Sequence, residues 1–273
     1  MRSMWKGSIS FGLVTIPVKL YTATEQKDVT FRQVHAEDGG RIHFRRVCSV
    51  DGEEVPFADV AKGYELPDDE MIVLTDEDLA QLPLPTARSI EVLNFSPADQ
   101  VDPILWNRSY YVEPEAAGIR AYVLLRDALE RTGKVAVTKI ALRQRESLAV
   151  LRGHDGVLVL ETMLWPDEVR AADFPFLDQD IEVRTQELRM ATSLIDSMTE
   201  DFHPDQYHDE YREALQELVE AKVEGREVIP ASEPAASEEP ASLLDALQAS
   251  LAAATLDRPP APAKRRAGRK ASA

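Results

Sequence analysis

The residues best suited to chemistry are cations set along a β-forming stretch. Between Arg131 and Arg152 lie six Lys or Arg side chains and one acid, Glu146, in a chain whose net charge is −17. If Lys134 to Glu146 is one strand, its side chains alternate between two faces. Lys139, Arg143 and Arg145 then share one face with small Ala141, and Ile140 and Leu142 take the other. Such a strand would run roughly 43 Å at ~3.3 Å per residue, longer than the roughly 34 Å of one duplex turn. A cationic row backed by an apolar row is a rail for a polyanion, neutralising phosphates without reading base edges.

Local motifs for catalysis are missing. There is no Gly-rich phosphate loop, GxSxG elbow, HExxH or CxxC. His35, His43, His154, His203 and His208 are scattered, and Cys48 is the single cysteine, which excludes an internal disulfide and any multi-cysteine zinc site. The acids between residues 65 and 78 crowd a helix start, where the helix dipole accounts for them. The expectation is no enzyme, no catalytic residue, no metal and no cofactor.

The elements that must carry the cations follow from periodicity. Ile16, Val18 and Leu20 alternate in a strand broken before it by Gly12, and Pro17 suits an edge or bulge position. Residues 31–36 and 41–47 flank Glu-Asp-Gly-Gly as a hairpin, with Arg41, His43 and Arg45 on one face. Short strands are expected at 71–74, 89–95 and 108–113, and a capping box at Thr75 opens a short helix. A helix over 116–132 carries Ile119, Val123, Ala128 and Leu129 on an apolar stripe and stops at Gly133.

Beyond an acidic loop block that reaches Asp180, helices are expected over 185–202 and 205–225. The second places Tyr207, Tyr211, Leu215 and Leu218 on one stripe, suited to core packing or to a partner. From Pro230 a Pro/Ala/Ser/Glu linker leads to a short Leu-rich helix and a tail holding Lys264, Arg265, Arg266, Arg269 and Lys270. Tails of this kind bind nucleic acid without sequence choice.

Net charge alone would argue against a polyanionic partner, but the charge is blocky. Residues 1–50 carry +4 and 101–152 carry +3, whereas 51–100 carry −11 and 153–230 carry −14. With a Debye length of ~8 Å, a polyanion responds to the nearest face. No apolar run is long enough for a membrane helix and no signal peptide is evident, so a cytoplasmic, nucleoid-associated protein is expected.

Several segments resemble the bacterial Ku family, the end-binding proteins of non-homologous end joining. They are MWKGSISFGLVTIPVKLY at Met4–Tyr21, RVCSVDGEEVP at Arg46–Pro56 and KGYEL at Lys62–Leu66. They continue with YYVEP at Tyr110–Pro114, LRDAL at Leu125–Leu129 and DGVLVLETMLWPDEVR at Asp155–Arg170. The resemblance implies a mixed, mainly β fold: a Ku-type β-barrel core whose long projecting strands form a ring in the dimer, then C-terminal helices and a disordered basic tail. It implies a DNA-encircling core over 1–200, a helical region over 201–229 for dimer packing or ligase recruitment, and a flexible linker, short helix and basic tail over 230–273. It also implies that the extra N- and C-terminal domains of eukaryotic relatives are lacking.

The function implied is sequence-independent, non-catalytic binding of double-stranded DNA ends by a homodimer that recruits and stimulates ATP-dependent DNA ligase D. The DNA-contacting candidates are Arg41, Arg45, Lys134, Lys139, Arg143 and Arg145 with the five tail cations. Tyr207, Tyr211, Leu215 and Leu218 are candidates for the ligase. The alternative is a β-barrel that binds single strands by stacking bases on Tyr110 and Tyr111.

Overall fold

The computed structural model describes residues 1–82, 88–143, 145–226 and 243–256. Its contacts fall into two compact units, Met1–Ala172 and Asp173–Ala273. The first begins with a hairpin, β1 (Trp5–Phe11) and β2 (Val14–Thr22), which turns at Gly12 with φ 57°. A long excursion follows, carrying a small two-stranded sheet of β3 (Lys62–Glu65) and β4 (Met71–Leu74), then the short helix α1 (Asp76–Ala80). The Thr75 capping box forms as expected, with Asp78 accepting from the Thr75 backbone N–H. The chain then supplies β5 (Ser89–Pro97), β6 (Trp106–Pro114), helix α2 (Ile119–Thr132), β7 (Lys134–Leu142), β8 (Arg145–His154) and β9 (Val157–Met163).

Seven of these strands close into a barrel in the order β1-β2-β6-β9-β8-β7-β5, and a short parallel ladder between β1 and β5 completes the circuit. This is the mixed, mainly β fold expected. Closure removes the unpaired sheet edges that would otherwise attract other strands. Alternate residues fill the lumen: Ile9, Ile16, Val18, Leu20, Ile90, Ile140, Leu151, Leu158 and Leu160 are all fully buried. Opposite phases face outward, where Val135, Val150 and Met163 pack beneath Val101 and Leu105.

Helix α2 plugs one end of the barrel. Tyr122, Leu125 and Leu129 join the lumen cluster. The Tyr122 hydroxyl donates to the Val112 carbonyl and accepts from the Leu158 amide, both at 2.7 Å, so it satisfies two backbone groups where the β6–β9 ladder stops. This corrects the expected stripe. Ile119 and Ala128 are exposed, and the buried face is rotated towards Tyr122 and Leu125. Gly133 ends the helix in the left-handed conformation, φ 62°, as its position predicts.

Three strand expectations change. Lys134 to Glu146 is not one strand: β7 ends at Leu142 and β8 starts at Arg145, paired in a tight hairpin with Leu142 opposite Arg145. Pro17 lies on a strand with neighbours on both sides, not on an edge. It is tolerated because it sits where the β6 ladder starts: its carbonyl accepts from the Glu115 amide, and the Glu115 carbonyl accepts from the Gly118 amide instead of needing one at position 17. The hairpin over residues 31–47 is reduced to a tight turn around one isolated bridge, Val34 to Arg41.

The second unit contains α3 (Thr185–Met198), α4 (Glu210–Glu224) and α5 (Leu243–Leu256), with α5 packed on α3. Helix α4 starts later than the expected 205 because Asp209 caps it, accepting from the Arg212 amide. Among the described residues, no helix is long and apolar enough to cross a membrane.

Candidate nucleic-acid interface

The hairpin turn redistributes the expected cationic row. Register places Lys139 opposite Leu148 on the outer face of the barrel. Arg145, opposite Leu142, shares the phase of Ile140 and Ser147, which is the lumen phase. Lys139 and Arg145 therefore lie on opposite faces, and the single rail does not exist. Arg143 sits in the turn itself with φ 53°, an unusual conformation for a residue with a Cβ.

Several candidates already hold carboxylates. Lys139 Nζ is 3.3 Å from Glu146 and lies over the Trp165 ring. Arg145 is paired with Glu168, and Arg45 with Glu54 at 3.2 Å. Arg152, outside the expected set, forms a two-pronged pair with nearly buried Glu161, whose hydrogen bonds push the guanidinium pKa up. Lys134 is exposed at the α2 end of the barrel, and Arg41 is exposed at the isolated bridge. Lys264, Arg265, Arg266, Arg269 and Lys270 lie outside the described residues.

At the barrel end opposite α2 the cations do converge. Here β2 finishes, β6 begins, and β7 turns into β8. Arg143 and Arg145 meet Arg108, which sequence reasoning missed. The register shift between Trp106 and Arg108 sets Arg108 opposite Thr162, in phase with buried Tyr110 and Val112. Its only sequence signal was an arginine at the start of a strand.

The stacking platform required for single strands does not form. Tyr110 and Tyr111 point to opposite sides of β6, Tyr110 into the lumen at 5% exposure and Tyr111 outward. In the second unit Tyr207 precedes α4 instead of lying on it, and its ring stacks on Phe202. Tyr211 is exposed on α4, whereas Leu215 and Leu218 are half-buried.

The Ku70/Ku80 beta-barrel domain model matches residues 10–190, which contain nearly all of the closed barrel. The chain belongs to the Ku family. It is 60% identical over 95% of its length to the non-homologous end joining protein Ku of Frankia casuarinae, and covers 65% of that relative. It is 47% identical to the Mycobacterium tuberculosis protein of the same name, covering 90% of this chain and 92% of the relative. The Mycolicibacterium smegmatis protein is 44% identical, with 93% and 82% covered. Within this Ku chain, the excursion between β2 and β5 is the feature that the barrel alone does not explain. Among its described residues 23–82 not one is buried, and Phe31, Phe44, Val50, Phe57, Tyr64 and Val73 are each more than 60% exposed.

Proposed function

We propose that the chain binds the ends of double-stranded DNA without sequence choice, as a homodimeric ring acting in non-homologous end joining. The observation that carries this reading is the exposed apolar excursion on a Ku barrel. Isolated apolar side chains on a surface are ordinary, but an arm of some sixty residues with no core of its own needs a cover. A second copy provides it: two arms interlocked would bury these side chains and close a passage. The relatives' name, non-homologous end joining protein, supports the pathway.

Contacts to phosphates suffice for a protein that must accept any sequence. Arg143 and Arg108 contribute most to them, with Arg41, Lys134 and the tail cations Lys264, Arg265, Arg266, Arg269 and Lys270. Lys139, Arg145 and Arg45 contribute less, because each already satisfies a carboxylate. The protein acts without catalysis and recruits ATP-dependent DNA ligase D through the region containing Tyr207, Tyr211, Leu215 and Leu218, with exposed Tyr211 the leading contact.

A gel-shift titration tests the reading with one linear duplex, the same DNA closed into a circle, and single strands, alongside the mass of the free protein in solution. The expected result is a dimer that shifts linear duplex and leaves the circle and the single strands free. Equal binding to circle and line, or a monomer at micromolar concentration, overturns the ring.

A further inference from the structure

Helix α4 of the second unit carries a row of like charges, most of them unpaired. Glu210, Glu213, Glu217, Glu220 and Glu224 are alternately three and four residues apart, so at 3.6 residues per turn they fall within about 80° of arc. All five are exposed, whereas Ala221 is buried and Leu215 and Leu218 are half-buried on the neighbouring face. The helix's own cations, Arg212 and Lys222, lie outside the stripe. Among the described residues Glu224 pairs with Arg226, and no cation is within ion-pairing distance of the other four. Carboxylates three and four apart repel one another along a helix. Glu220 and Glu224 also stand at the negative end of the helix dipole, where cations are favoured. The surroundings deepen the excess, since residues 173–226 hold 15 Asp or Glu and 5 Lys or Arg. This face requires a cationic cover from outside the helix.

We infer that the stripe is the resting dock of the chain's own basic tail, Lys264 to Lys270, and that duplex DNA displaces the tail from it. Charge and length both match. The tail sets five cations against the five carboxylates. The stripe runs roughly 21 Å at 1.5 Å per residue, and the chain from Lys264 to Lys270 spans at most about 21 Å. Helix α5 packs on α3 and ends at Leu256, so a tether of at most about 28 Å joins Lys264 to the unit that contains α4. A short tether gives an effective concentration on the order of millimolar, enough for weak exposed pairs to hold as a group. Docked, the tail is withheld from DNA. A duplex met side-on offers its phosphates briefly and competes poorly with the tethered stripe. A duplex held in the ring keeps its phosphates at hand and captures the tail. Helix α4 thereby opposes tail-driven binding away from ends.

The inference rests on the reading that the tail contacts DNA, and its first test needs no DNA. In full-length protein at low salt, a carbodiimide joins ammonium and carboxylate groups that are in contact. The expected products link Lys264 or Lys270 to Glu213, Glu217 or Glu220, identified by mass spectrometry. Linear duplex should abolish them, and so should about 0.5 M salt, which screens exposed pairs. The second test uses the triple variant Glu213→Gln, Glu217→Gln, Glu220→Gln, with and without deletion of residues 264–273. With the tail present, it should bind a closed circular duplex roughly three- to tenfold more tightly than the wild type, the scale of a phosphate contact or two regained. With the tail deleted, the three glutamines should change nothing. A gain of equal size without the tail is general repulsion and overturns the inference. No gain with the tail, or no cross-link between tail and α4 in the free protein, overturns it as well. The preference of the tail-deleted protein for linear over circular duplex is measured alongside. Its loss would count against end binding by the ring and leaves the cross-link result to decide the dock.

Discussion

Lys139 on β7 and Glu146 on β8 form an ion pair across the hairpin, 3.3 Å between Nζ and a carboxylate oxygen, and the same ammonium lies 5.5 Å from the centre of the Trp165 ring. Their Cα positions are diagonal, since Lys139 is opposite Leu148 and Glu146 opposite Ala141. Diagonal neighbours on one face of an antiparallel pair are within reach of long side chains. Lys139 is thus held by its own barrel, which is why a cation that looked free in the sequence ranks low as a DNA contact.

Replacing Lys139 separates holding from binding. Lys139→Gln is expected to lower unfolding stability by about 0.5–1 kcal/mol, the scale of a partly exposed pair. It should lower the salt slope of duplex binding by much less than one full phosphate contact. Arg143→Gln is expected to do the reverse, reducing the slope of log affinity against log salt by about 0.9 for each phosphate contact removed. Urea unfolding and a salt titration of duplex affinity measure the two effects.

Tyr122 joins the plug to the barrel. Tyr122→Phe keeps the buried ring but leaves the Val112 carbonyl and the Leu158 amide without their partner. Two such groups stranded in an apolar interior cost about 2–4 kcal/mol. Unfolding by urea should show that loss with no change in cooperativity, because α2 and the lumen belong to one core.

The hairpin turn yields a third expectation. Arg143→Gly removes the Cβ penalty of a positive φ, about 1 kcal/mol or more, and adds back a similar entropy cost in the unfolded chain. Stability should therefore hold within about 1 kcal/mol while duplex affinity falls. A loss of both would mean that the side chain packs as well as binds.

That turn is also where the sequence was hardest to read. Both flanks are strongly β-forming, and the residue at the reversal is Arg143, without the Gly, Asn or Asp that usually marks a hairpin. Alternation therefore ran on through the turn, and the faces were assigned wrongly beyond Leu142. By contrast Gly12 and Gly133 announced their reversals, and the Thr75 capping box was legible because its partners are three residues apart. Arg108 was invisible as a site residue since it depends on a register shift in β6 and on Arg143, 35 positions later in the chain. The stripe of α2 was misjudged because Tyr122, with a polar tip, is the residue that the barrel end accepts.

Acid sensitivity follows from three carboxyls in the first unit. Hydrogen bonds from the Glu53 amide to Asp51, from the Thr75 amide to Asp78, and from the Lys6 ammonium to Glu115 hold their pKa values below the ordinary range. A group lowered on folding contributes stability above its unfolded pKa and loses it as pH falls through the folded one. Stability should be flat from neutral pH down to about 5 and decline below about 4, where the carboxyls take up protons. Urea midpoints across that range check it, and Asp78→Asn should make the decline shallower.

The central claim is topological and is tested most directly by trapping. Protein is loaded on linear duplex, the ends are sealed into a circle, and the complex is washed at about 1 M salt, where phosphate contacts are screened over ~3 Å. A ring predicts protein retained on the sealed circle, and its release when the circle is cut once. Protein that leaves the sealed circle as readily as the open duplex would contradict the account.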